Sequence, residues 1–225
     1  LTGNVVATGN NQGILTTTGL NKIITGNIGS SISLDLNTLN IGSDTDATNY
    51  SKTTINGNVF ANSTVLNNNG TTNSSELIMG SGKNITSTIT TTDANMGILT
   101  LAGGIQTVTG QVGNGNKLAE VNAGNGTSTF ANDVYATNLD VEGTGTVNLD
   151  GKFTGTAVRY NADGTVILAD TKNIDSSVTT ATNNTGTLSL EGSSTVTGQV
   201  GASGASLKEI NAGVAGTTST FNSNV

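Results

Sequence analysis

Asp44 and Asp46, in the segment SDTD, are the densest acidic pair of this chain. Two carboxyls at a defined separation can do acid and base work on a glycosidic bond. They are therefore the first residues to weigh for turnover of a polysaccharide. Both fall in a Gly/Ser/Thr-rich, turn-like stretch with no other acid nearby in sequence, which favours a solvated turn. Glu120 and Glu209 hold one position in two copies of a repeated phrase, beside Lys117 and Lys208. An array seldom duplicates an active site, so each acid reads as part of a surface pair. The chain has no His and no Cys, which removes His-based triads, imidazole ligands and thiolate sites. The run NADGT at 161–165 has Asp and Asn oxygens of the kind calcium takes, yet no Glu follows to complete a loop. No Lys-Ser/Thr follows a Gly run with the spacing of a phosphate loop. The reading assigns no catalytic residue, no metal ligand and no cofactor.

Thr and the aromatics remain. Thr16 to Thr18 cluster, and Thr86, Thr88, Thr90 and Thr92 alternate. A flat Thr ladder can bind ice if it recurs on every coil. The repeat counterpart of Thr90 is Thr179, but Ala181 and Asn183 follow it, so Thr reads here as a solvated strand former. Phe130 and Phe221 share a repeat position, which favours a core role, and Phe60 aligns with Tyr135. Tyr50 and Tyr160 have no repeat partner and are the candidates for exposed contacts, where aromatics are common hot spots.

The elements that position these residues follow from composition and repetition. Charged residues make up 10 % of the 225 residues, aromatics 3 %, Pro none, and the net charge is −7. Disordered chains are usually rich in charge and Pro, whereas Val, Ile and Thr are plentiful here. The eight Lys and Arg are scattered, so no basic patch marks a nucleic acid as partner. No apolar run approaches the length of a membrane-spanning helix.

The phrase TVTGQVG stands at 107–113 and again at 195–201, with a diverged copy, IITGNIG, at 23–29. Gly26, Gly110 and Gly198 align, at offsets of 84 and 88. Related phrases precede it (GILTLAG at 97–103, GTLSLEG at 186–192) and follow it (KLAEVNAG at 117–124, SLKEINAG at 206–213). Self-similarity of this kind signals a repeat architecture. Within the phrases apolar residues alternate, as strands require, and Asn-Gly and Asp-Gly pairs punctuate them. These include Asn56-Gly57, Asn69-Gly70, Asp150-Gly151 and Asp163-Gly164.

The expected fold is all-β, a right-handed parallel β-helix (β-solenoid), with tandem β-sandwich modules as the alternative. At roughly 20 residues per coil, one unit makes about four coils and the chain about eleven. With strands about 4.8 Å apart, that is a rod near 50 Å long. The expected organisation is one elongated segment, 1–225, of diverged units at about 13–96, 97–185 and 186–225, the last cut short.

The phrases GILTLAGGIQTVTGQVG, KLAEVNAG and TFANDVYATNLDV resemble the passenger regions of rickettsial surface-cell-antigen autotransporters, strongly over 96–225 and diffusely over 1–95. The resemblance implies a cell-surface passenger exported through a C-terminal β-barrel that this sequence does not contain. It implies a place on the extracellular face of the outer membrane, in a surface layer, and a role in attachment to and entry into host cells. The implied partners are a host-cell surface protein or other surface-layer copies. No catalytic motif comes with it. The competing readings are a polysaccharide-acting β-helix enzyme and an ice- or crystal-binding solenoid.

Overall fold

A computed structural model describes residues 1–30, 33–43, 50–68 and 73–225. Asp44, Asp46 and the Asn69-Gly70 pair lie outside the described residues. Odd-numbered strands from β1 (Gln12–Thr17) to β19 (Glu209–Ala212) form one ten-stranded sheet. Even-numbered strands from β2 (Gly19–Ile24) to β20 (Thr220–Phe221) form the other. All pairings between these strands are parallel. A β-sandwich is built of antiparallel sheets, so the fold is the solenoid and not the paired modules.

The register places an inward column on each of three faces, with further buried positions beside them, such as Ile55, Met79 and Leu101 or Val147, Val166 and Leu188. Val5, Ile28, Val59, Ile85, Val108, Phe130, Leu149, Leu168, Leu190 and Ala212 pair in succession down the first. Leu15, Leu39, Thr64, Ile89, Val112, Val134, Phe153, Ile174, Val196 and Phe221 make the second. Thr53, Leu77, Leu99, Val121, Leu139, Val158, Val178 and Val200 make the third. The chain visits the columns in the same order on every coil, so the cross-section is three-sided. The first column contains nine coil-to-coil steps, not eleven. Coils run from 19 residues (Phe130 to Leu149) to 31 (Ile28 to Val59), because the longer ones carry extended connections. At about 4.8 Å per step the rod is about 43 Å long.

The repeated phrase and the coil are different periods. Ile28, Val112 and Val200 are equivalent in the phrase, yet they occupy the first, second and third columns respectively. Each recurrence thus advances a whole number of coils plus one face. The phrase is a corner module that fits any edge of the triangle. Its first glycine explains why. A Cβ on Gly26, Gly110 or Gly198 would fall onto the backbone of the preceding coil, at Gly3, Ser87 and Ser176 respectively. Its last glycine turns the corner with φ of 69° at Gly29, 74° at Gly113 and 68° at Gly201, which other residues adopt only with strain.

Side-chain amides join the coils where the main chain turns. The Oδ1 atoms of Asn4, Asn27, Asn58 and Asn84 accept hydrogen bonds from the N–H groups of Asn27, Asn58, Asn84 and Thr107, each 2.8–2.9 Å long. Hydroxyls inside the rod are paired in the same manner. Thr64 in the second column lies 2.8 Å from the Ser87 hydroxyl, and Thr53 in the third lies 2.8 Å from those of Thr17 and Ser51. Most buried polar groups in folded proteins are bonded in such ways.

Gly110→Ala is expected to destabilise the rod by about 1–3 kcal/mol, the usual cost of overpacking. Gly204→Ala, with a positive φ but open space around it, is expected to lose about 1 kcal/mol from backbone strain alone. Urea unfolding of the two variants beside the parent gives the comparison.

Candidate functional surface

Outward residues alternate with the inward columns and form ladders of their own. The most regular consists of Thr127, Thr146, Thr165 and Thr187 on four successive coils, entered by Ile105 and left by Glu209. Beside it run Thr107, Thr129, Asn148, Ile167, Ser189 and Asn211. From Ile105 to Ser189 this face carries no charge. The Thr column repeats at coil spacings of 19, 19 and 22, so a search at the 84–88 spacing of the phrases passes over it. Thr86, Thr88 and Thr90 alternate outward on β7 (Ile85–Thr91), but the coil-to-coil partners of Thr88 and Thr90 are Ser63 and Val65.

One charged cluster lies on the third face. Asp140 is 2 % exposed, on β12 (Val134–Val141). It pairs in register with Arg159, the one arginine of the chain, on β14 (Phe153–Tyr160). Both Asp140 carboxylate oxygens accept from the Arg159 guanidinium, and Glu120 reaches the same group at 3.5 Å. The hydrogen bond to Asp140 and the neighbouring carboxylates raise the guanidinium above its ordinary value. This fork links three coils. Glu120 and Asp140 thus share one guanidinium. Glu120 is thus paired with Arg159 across the coils, and Lys208 pairs with Asp163 at 2.7 Å and not with Glu209. Pairing across coils replaces the expected pairing along the sequence. The NADGT run at 161–165 is committed likewise: Asn161 donates to Glu142 at 2.7 Å, and Asp163 accepts from Lys208 and from the Gly186 N–H. Those two bonds hold the Asp163 carboxyl below its usual range.

The two candidate tyrosines part company. Tyr50 is half-buried, just ahead of β4 (Ser51–Ile55). Tyr160 is not an exposed contact: it is 1 % exposed, and its hydroxyl donates to the Thr187 carbonyl at 2.7 Å. It sits two residues beyond inward Val158 on the same strand, so the alternation points it inward. In its column stand Val141 on one side and Thr180 on the other, which hides the equivalence from a sequence comparison. Burial pushes its phenol well above its ordinary value of 10. The aromatic that does meet a charge at the surface is Tyr135, whose ring lies 5.0 Å from the Lys152 ammonium.

The chain runs from β3 (Leu36–Ile41) to β4 through 42–50 and from β5 (Val59–Leu66) to β6 (Glu76–Met79) through 67–75, on consecutive coils. The described ends of these two connections are held by a buried polar cluster. Asn67 donates to the Gly42 carbonyl, and the Ser51 N–H donates to the Ser75 hydroxyl at 3.0 Å. Ser75 in turn bonds Asn67 and Asn68, each at 2.6 Å. Tyr50 stands where the first connection rejoins the coil.

Fold and surface define a three-sided parallel β-solenoid whose exterior is polar and sparsely charged. The chain is 35 % identical over 210 residues to outer membrane protein A of Rickettsia rickettsii, an alignment that takes in 91 % of this chain and 8 % of that protein. It is a homologue of a rickettsial outer-membrane protein and spans less than a tenth of that relative's length. No family model matches the chain, and no solved structure does.

Arg159→Ala leaves Asp140 buried without its partner, at an expected cost of about 3 kcal/mol, discounted from a fully buried pair because Arg159 is 39 % exposed. Asp140→Asn with Arg159→Met is expected to recover most of that loss in thermal unfolding. Tyr160 favours its neutral form when folded, so its contribution is fully present below about pH 10 and fades as the unfolded chain's phenol ionises above it. Tyr160→Phe is expected to lose about 1 kcal/mol at neutral pH with the bond to Thr187, and to flatten the alkaline fall in stability. Phenolate absorbance followed alongside unfolding would show both.

Proposed function

We propose that this chain is a length of the passenger of a bacterial autotransporter, carried on the extracellular face of the outer membrane, where it serves as a structural rod and adhesive surface. The observation that carries the proposal is the uninterrupted three-column coil on a homologue of a rickettsial outer-membrane protein. Such a rod needs few inward side chains per coil, and its stability sums over neighbouring coils. Its exterior is therefore free to vary, and long connections can be inserted at a corner without disturbing the core.

The phrases over 96–225 resemble outer-membrane protein B, the aligned relative is outer membrane protein A, and the passenger role proposed is common to both. Attachment to and invasion of host cells are assigned to the surface: the two connections at 42–50 and 67–75, and the uncharged Thr face. The partners proposed are a host-cell surface protein or further copies of the surface layer. The role is presentation, without turnover.

Two measurements test the parts separately. Antibody raised against the purified chain is expected to label intact bacteria that express the whole protein; labelling only after permeabilisation would overturn the surface assignment. Fluorescent chain is expected to bind cultured host cells saturably and to be displaced by unlabelled chain. Binding no greater than that of an unrelated β-solenoid would remove the adhesive role from this segment and leave it as spacer.

A further inference from the structure

Three Asn-Gly pairs lie within the described residues: Asn56-Gly57, Asn114-Gly115 and Asn125-Gly126. The pair has an intrinsic reactivity. A glycine amide nitrogen, once deprotonated, can attack the preceding Asn side-chain carbon and form a five-membered succinimide. The bond from that carbon to the side-chain nitrogen breaks, and ammonia leaves. Water then opens the ring at either carbonyl to give aspartate or isoaspartate. Glycine permits this because no Cβ obstructs the approach, but the backbone must be free to rotate.

The fold withholds that freedom from two of the pairs. Gly57 is buried, a Cβ on it would fall onto the Gly26 carbonyl, and the Asn56 N–H is bonded to Ile24 at 2.8 Å. Gly126 opens β11 (Gly126–Phe130), pairs with Gly104 and is packed onto that residue's carbonyl. At the third pair the flanking residues are tied, Gly113 to the Ile89 carbonyl at 2.7 Å and the Asn116 amide to the Thr91 and Thr92 carbonyls at 3.2 and 3.0 Å, but the pair itself is not. Asn114 and Gly115 are both exposed within a bend at 113–116, and neither the Asn114 side chain nor the Gly115 N–H makes a hydrogen bond. Gly115 has φ of 87° with no atom within 4 Å of where a Cβ would stand. The equivalent corner of the next repeat differs in both respects. It carries Ala202 and Ser203 in place of the pair, and Ala202 and Ala205 close it with two backbone bonds of 3.0 and 2.9 Å.

The geometry points to Asn114 as a site of spontaneous modification, at which the native rod deamidates through the Gly115 nitrogen while Asn56 and Asn125 are protected. The product places a carboxylate, or a carboxylate with one extra backbone atom, on an open corner three residues from Lys117. It changes the surface charge of one repeat and leaves the next unchanged.

The native chain incubated at mildly alkaline pH and mapped by peptide mass spectrometry decides this. The expected result is conversion at Asn114 that rises with pH and exceeds conversion at Asn56 and Asn125 at least tenfold, roughly the factor that 1.4 kcal/mol of added barrier produces. The urea-unfolded chain is expected to convert all three at similar rates. Asn114→Gln is expected to remove the acidic species whose peptide map carries the change at 114, and Asn125→Gln to leave it unchanged. Equal conversion of the three pairs in the native chain would overturn the proposal, and so would a native rate at Asn114 no faster than at the two packed pairs.

Discussion

The structure depends on the hydrogen-bonded spacing between successive coils. Parallel strands stack at about 4.8 Å, and at that distance each coil must place an inward side chain directly over the one below. Every other feature accommodates this constraint. The interior columns are Val, Ile and Leu because these fill a narrow three-sided shaft, with three large aromatics, Phe130, Phe153 and Tyr160, in its C-terminal half. The corners are glycine where one coil's backbone rests on that of the coil before it, as at Gly26, Gly110 and Gly198. The exterior is left with little to do for stability, which is why so polar a chain folds.

The same spacing makes short polar side chains useful. An Asn at a corner reaches one coil and no further, so its carbonyl oxygen meets the next N–H in the run from Asn4 to Asn84. Ion pairs, with longer side chains, reach one coil or two. Arg159 spans to Asp140 on the adjacent coil and to Glu120 beyond it, while Lys52 meets Glu76 one coil away at 2.7 Å. In a solenoid the neighbour that matters is a coil or two off, and adjacency along the chain says little about who pairs with whom.

That point separates what was legible in the sequence from what was not. Alternation of apolar residues, the Asn-Gly and Asp-Gly punctuation and the recurring phrases identify strands, corners and an array. The solenoid follows from them, and so does the inward place of Phe130. The number of coils does not follow, because the phrase recurs after a whole number of coils plus one face. Ile28, Val112 and Val200 look like one position and stand in three columns. The Thr127 to Thr187 ladder is invisible for the converse reason, its members being alike in space and unrelated in phrase. Tyr160 lacks a repeat partner yet is buried, because the parity of its strand, not the phrase, decides which way it points. The partners of Glu120 and Lys208 were sought three residues away or fewer and lie a coil or more distant. On the surface, composition identifies a rod that presents polar faces, but the face and the Arg159 fork emerge only once the register is known.

Every feature of the rod rests on the register. The chain has no Cys, so spin labels can be placed on introduced cysteines without background. Ile105 is 77 % exposed and Glu209 is also exposed, and they stand at the two ends of the Thr column, 104 residues apart in sequence and five coil steps apart in space. Pulsed electron–electron resonance between labels at these positions is predicted to give a narrow distribution centred near 24 Å, shortening by about 4.8 Å when the second label moves from Glu209 to Thr187. A broad distribution, or a distance that does not shorten with that move, would contradict the nine-step coil.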